Sequence, residues 1–286
     1  MSKNTDQSVH DGEAASGVLR KVFSKKYRSN EKIKTMIKQP KFWSALLGEL
    51  IGTMLLTSAF LFIIGVFRAD YVPITLFGAT IATYVVFYKI SGAQLNPLVT
   101  AGAMATRRMS IVRGIFYMLA QFTGAWLGFL IVILFKNGSG SDLEIPASLI
   151  GVDGESFWAV ALIELMGAII LGFLYSRSTQ LKKRNSLTYA ILMTCGVILL
   201  YLFGAVISQS YFGMYENLVF NPAAASTYSI FANLTDGFGQ VILISLAYLI
   251  LPMAGGIVGC YLSELTTVLV GEGYSCADEC NDKKVA

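Results

Sequence analysis

Beyond residue 41 the chain alternates long apolar runs with shorter polar connections. Six runs cover 43–66, 72–90, 112–135, 157–176, 187–207 and 239–262. Each is close to the roughly twenty residues with which a helix crosses a bilayer. Helices are the expected form, because backbone N–H and C=O groups find no water in lipid and must pair within their own segment. Two shorter apolar pieces, Leu95 to Ala105 and Leu218 to Ala232, are too short to span, and each begins near an Asn-Pro pair. Asn is a good N-cap and Pro fits the first helical turn, so each piece predicts a short helix that starts at its Asn-Pro and follows a loop. The pattern divides the chain into a tail over 1–41, a membrane domain over 42–264 with halves at about 42–135 and 156–264, and a second tail over 265–286.

Charge orients this all-α arrangement. Of 22 Lys and Arg residues, ten lie in the leader, from Lys3 to Lys41. Lys89, Arg107, Arg108 and Arg113 follow the second run, Arg177 and Lys182 to Arg184 follow the fourth, and Lys283 and Lys284 end the chain. Only Arg68 and Lys136 fall in connections on the other side. By the positive-inside rule, six crossings place both termini in the cytosol. No apolar stretch follows Met1, so a cleavable signal peptide is not expected. The leader reads as a solvated tail, and its Lys21 to Lys41 stretch also suits an anionic lipid surface.

Composition narrows the chemistry. The chain is 55% hydrophobic and 14% charged over 286 residues, far too apolar for disorder. Its one histidine, His10, lies in the leader, which excludes chemistry that needs a buried histidine. Cys195 and Cys260 fall in spans and Cys276 and Cys280 in the tail, which makes neither a disulfide framework nor a zinc site. No enzyme activity, cofactor, metal or nucleic-acid partner is expected.

The two halves resemble each other. Glu49-Leu50-Ile51-Gly52 in the first run matches Glu164-Leu165-Met166-Gly167 in the fourth, and each half then reaches its Asn-Pro, Asn96-Pro97-Leu98 and Asn221-Pro222-Ala223. Three spans per half give the halves opposite orientations, an inverted 3+3 repeat of the kind that builds a substrate path near the midplane. Carboxylates within lipid-crossing runs are costly and need partners. Gly52, Gly124, Gly128, Gly167, Gly172, Gly255 and Gly259 suit close helix packing.

Ser91-Gly92-Ala93-Gln94-Leu95-Asn96-Pro97-Leu98 and Val219-Phe220-Asn221-Pro222-Ala223 resemble the two signatures of the aquaporin, or major intrinsic protein, family. Ala120-Gln121-Phe122-Thr123-Gly124 is similar to its third helix and Pro252-Met253-Ala254-Gly255-Gly256 to its sixth. The resemblance implies six transmembrane helices and two re-entrant half-helices that meet N-terminus to N-terminus. It implies that Asn96 and Asn221 offer N–H groups to a passing oxygen, and that Glu49 and Glu164 accept backbone N–H groups of the re-entrant loops. It also implies a homotetramer in the lipid bilayer, in the plasma membrane, with passive passage of water and small uncharged solutes.

The chain departs from the family where selectivity is set. Most members place Arg directly after the second Asn-Pro-Ala; here that position is Ala224, and no Lys or Arg occurs between Arg184 and Lys283. The resemblance maps the constriction onto Phe77, Gly204, Leu218 and Ala224, with Leu76 open as well because Phe77 lies one residue short of the usual distance to Asn96. A constriction without Arg or His predicts a wider, more apolar passage that admits glycerol-like solutes. Two alternatives stand beside it: a pore that leaks protons or cations, and a closed-pore junction or regulatory protein. Gln94 replaces the usual His and Leu98 the usual Ala, and Leu98 is expected either to crowd the junction or to be absorbed by packing.

Overall fold

The computed structural model describes residues 33–66, 71–139, 157–181, 185–212, 219–227, 242 and 245–270. A short turn of helix, α1 (Ile33–Met36), precedes the spans. These are α2 (Pro40–Val66), α3 (Val72–Ser91), α5 (Ile111–Ser139), α6 (Phe157–Gln180), α7 (Ser186–Phe212) and α9 (Leu251–Val270), the last entered through a π-helical turn at Leu246–Ile250. Six of the helical stretches are long and apolar enough to cross a membrane. The half-helices are α4 (Pro97–Ala105) and α8 (Pro222–Ala225). No strand occurs among the described residues.

The spans turn apolar side chains outward. On α2, Trp43, Leu47, Ile51 and Leu55 recur every four residues and are exposed, whereas Glu49, Thr53 and Thr57, also four apart, are buried. On α6 the outward row is Trp158, Leu162, Met166 and Ile170. Spacing of four puts each set on one helix face. Polar side chains inside and apolar ones outside are what a lipid solvent selects.

Packing follows the repeat. The most extensive helix contacts join α2 to α5 in the first half and α6 to α9 in the second. Both pairs depend on glycine: a Cβ at Gly124 would stand 2.2 Å from the Leu50 carbonyl oxygen, and one at Gly259 would stand 2.0 Å from that of Ile169. Any side chain there would force the backbones apart.

The last span differs from the sequence expectation of 239–262. Its described part runs from Leu246 to Val270. Glu264, two residues past the expected end at 262, is buried within α9 and pairs with Arg108. The leader to residue 32, the tail from 271 and Leu218 lie outside the described residues.

Candidate functional site: the junction of the half-helices

Each half-helix begins where its sequence predicts. Asn96 caps α4, its Oδ1 accepting from the Leu98 N–H at 3.1 Å. Asn221 caps α8, accepting from the Ala223 N–H at 3.1 Å and that of Ala224 at 3.5 Å. Pro97 and Pro222 occupy the first turns, where no N–H is needed. The capping leaves both amide nitrogens, with two N–H groups each, for other partners.

One N–H of each crosses to the opposite half. Asn96 Nδ2 donates to the Phe220 carbonyl at 2.8 Å, and Asn221 Nδ2 donates to the Leu95 carbonyl at 3.0 Å. The bonds are reciprocal because the residue before each Asn turns its carbonyl across the junction. Leu95 and Phe220 both adopt left-handed backbone, with φ of 52° and 48°. Such strain costs about 1–3 kcal/mol at a non-glycine residue and persists only where the surroundings hold it.

Those surroundings are the two Glu-x-x-Gly motifs. Glu49 accepts from the N–H groups of Gln94 at 3.0 Å and Leu95 at 2.7 Å. Glu164 accepts from Val219 at 2.5 Å and Phe220 at 3.0 Å. Three residues on, the glycine makes room for the strained residue's side chain. A Cβ at Gly52 would lie 2.6 Å from Leu95 Cδ2, and one at Gly167 would lie 2.2 Å from Phe220 Cε1. The carboxylate thus fixes the backbone and the glycine admits the side chain, one turn apart on the same helix.

The first half has further support. Gln121, also buried, donates to Glu49 at 2.7 Å and to Thr100 Oγ1 at 2.9 Å. Thr100 donates to Gln94 Oε1 at 2.8 Å, and Gln94 Nε2 donates to the Tyr175 hydroxyl at 3.1 Å. Gln94, at the position where the family usually has His, therefore belongs to a polar chain that ties the first loop to α5 and α6. The sequence assigns Gln121 no role, and its signal there is a lone amide in an apolar run.

A cavity of about 70 Å³ lies at this junction and reaches both asparagines and Ala224. From α2 it is lined by Leu56, Thr57 and Phe60, and from α3 by Leu76, Thr80 and Tyr84 at one-turn spacing. Val197 and Tyr201 of α7 and the strained Phe220 complete much of the wall. Of the residues expected at the constriction, Ala224 lines the cavity and is buried. Phe77 is not among the lining residues. It sits one position round the helix from the Leu76-Thr80-Tyr84 face, and Leu76 takes the wall position. Gly204 is buried on α7 but outside the lining, three residues beyond Tyr201, the aromatic that α7 presents instead. Leu98 neither lines the cavity nor crowds it: fully buried, it packs on Gly256, where a Cβ would stand 2.3 Å from the Leu98 carbonyl oxygen. Pro97, Pro222 and Ala223 are likewise buried and are not among the lining residues.

A second polar cluster lies at the far end of α4. The Arg108 guanidinium pairs with Glu264 of α9 and donates to Thr179 and, at 3.0 Å, to the Ser176 carbonyl of α6. In the sequence Arg108 serves only to orient the chain, because nothing in its pattern marks residues 108 and 264 as neighbours. Among the described residues no cluster of His, Cys, Asp and Glu could hold a metal ion.

Comparison with known proteins agrees with this geometry. The chain is 36% identical to aquaporin-4 of Bos taurus over 137 residues, 45% of this chain and 39% of that protein. It is 48% identical to aquaporin-4 of Homo sapiens over 61 residues, 21% of this chain and 19% of that protein. The chain thus matches well under half the length of each relative. In structure it is similar to the aquaglyceroporin from Plasmodium falciparum, with a TM-score of 0.58 at 20% identity, covering 80% of this chain and 98% of that one; at that identity the likeness is one of fold. A family model described as "Major intrinsic protein" matches residues 36–265. Matched over most of its length, and with six apolar helices around paired Asn-Pro half-helices, the chain belongs to the major intrinsic protein family and is an integral multi-pass membrane protein.

Proposed function

We propose that the chain is a passive channel, and not an enzyme, for water and small uncharged solutes such as glycerol. The observation that carries this reading is the pair of asparagine amides at one cavity. Each spends one N–H on the opposite half and keeps another for a passing oxygen. The α4 N-terminus adds a partial positive charge of about half a unit, which disfavours cations there.

Ala224 supports extending the range beyond water. An arginine there would add a fixed charge and up to five donors beside the cavity; alanine adds neither and leaves an apolar wall with Leu76 and Phe60. Among the described residues Leu76, Tyr201 and Ala224 line the cavity, which supports placing the constriction at their level; the expected Leu218 lies outside the described residues. The subunits assemble as homotetramers in the plasma membrane with both termini cytosolic, and each subunit carries its own pore.

Stopped-flow light scattering on proteoliposomes tests the reading. A hyperosmotic glycerol step should give fast shrinkage from water exit, then re-swelling as solute enters. Shrinkage at the rate of empty vesicles rejects the channel, and shrinkage without re-swelling for any neutral solute restricts it to water. The missing arginine also favours a second reading, a leak of protons or cations. Voltage clamp across planar bilayers separates the two, since a neutral-solute channel carries no current.

A further inference from the structure

On one side the cavity at the junction ends at Tyr84 of α3 and Val197 of α7. Both helices continue past it, toward the end where α3 carries Lys89 and α7 begins at Ser186. The lining face of α3, Leu76, Thr80 and Tyr84, has Tyr88 as its next member at one-turn spacing. The lining face of α7, Tyr201 and Val197, continues in the same way through Met193 to Tyr189. Both faces therefore lead to tyrosines, and the tyrosines meet. The Tyr189 ring lies 5.8 Å from that of Tyr84, edge-on, and 4.9 Å from that of Tyr88. From α6 the Tyr175 ring approaches it to 6.4 Å, again edge-on. Met193 and Tyr189 are fully buried, at 0% and 1% exposure. The Tyr189 hydroxyl crosses to the first re-entrant loop and donates to the Ala93 carbonyl at 2.7 Å.

We infer that Tyr189 limits permeation: its ring shuts the passage between the half-helix junction and the end of the bundle proposed as cytosolic, and its bond to Ala93 latches the ring there. This rests on the channel reading above and deepens it. A path through the junction has to leave along the faces that line the cavity, and those faces converge on this ring. Centroid separations of this size are those of aromatic rings in contact, so no water passes between Tyr189 and α3 while the ring stays in place. The closure is reversible in chemical terms. Rotating the Tyr189 side chain to another staggered conformation frees the Ala93 carbonyl. A water in the vacated space then donates to that carbonyl in place of the hydroxyl. No buried acceptor is orphaned by opening, and the water that replaces the latch is itself part of the conducting path.

The test is water permeability per incorporated protein in proteoliposomes, measured over a range of temperatures for the full chain and for Tyr189→Phe, Tyr189→Leu and Tyr189→Ala. Phenylalanine keeps the ring and removes the latch, and loss of one hydrogen bond from the closed state should raise the flux about two- to tenfold. Leucine and alanine remove the ring and should raise the flux at least as far, with leucine as the second ring-free variant should alanine not assemble. In both, the activation energy of water flux should fall below that of the unsubstituted chain, a change that altered incorporation cannot imitate. Flux in the ring-free variants at or below that of the unsubstituted chain overturns the inference and marks Tyr189 as a packing residue, while the channel stands. An unchanged activation energy overturns it as well. If no form of the protein exceeds empty vesicles, the channel reading fails and takes the inference with it.

Discussion

Asn96 donates to the carbonyl of Phe220 across 2.8 Å, joining residues 124 positions apart in the chain. The bond exists because Phe220 is held in left-handed backbone, and its counterpart from Asn221 to Leu95 exists for the same reason. The two half-helices are thereby locked to each other, and the same amides face the cavity. Asn96→Asp replaces the donor with an acceptor at both places. Water permeability should fall at least about tenfold, the equivalent of one charge-sensitive hydrogen bond, in protein that still assembles. Stopped-flow rates normalised to incorporated protein check this.

Gly167 and Phe220 should behave as one unit. Gly167→Ala puts a methyl group 2.2 Å from the Phe220 ring, and overpacking of this kind costs about 1–3 kcal/mol. Phe220→Ala alone leaves a cavity. The double variant should be more stable than the two single losses added together, by about 0.5–3 kcal/mol of coupling. Thermal unfolding in detergent across the four proteins measures it.

The two buried carboxylates carry unequal loads. Among the described residues Glu49 accepts from two backbone N–H groups and the Gln121 amide, whereas Glu164 accepts from two backbone N–H groups. Each orphaned buried donor costs about 1–3 kcal/mol. Glu49→Ala should therefore lower the melting temperature more than Glu164→Ala. The reverse order would mean that the first loop is held chiefly by the Gln94–Thr100–Tyr175 chain.

Ala224→Arg should narrow the solute range. The new guanidinium would stand beside Asn221 at the cavity, fill apolar space and raise the barrier to solutes larger than water. Glycerol permeability should drop about tenfold or more, the equivalent of about 1.4 kcal/mol, while water continues to pass. An unchanged solute range would place the constriction elsewhere.

Arg108 and Glu264 form a partly buried pair between the end of α4 and α9, with side chains 17% and 5% exposed. Removing one partner takes the ion pair from the other buried charge, which costs about 3 kcal/mol or more. Arg108→Met should destabilise the protein strongly, and adding Glu264→Met should recover much of the loss. Unfolding midpoints of the single and double variants decide it.

The apolar pattern by itself determined six spans and two short helices, because a backbone in lipid must pair internally and runs of about twenty apolar residues match the length of a helix, not of a barrel strand, across a bilayer. Glu-x-x-Gly and Asn-Pro, each occurring twice, were also legible as a repeat. Their joint purpose was not. That Gly52 admits Leu95 and Gly167 admits Phe220 depends on contacts 43 and 53 residues apart, which no local propensity encodes. The wall of the cavity was least legible. Phe77 and Leu76 are neighbours in sequence, yet only the rotation of α3 in the bundle decides which one faces inward. Sequence spacing specifies which residues share a helix face. Which face meets the cavity is set by packing against neighbouring helices, and that is a property of the tertiary structure alone.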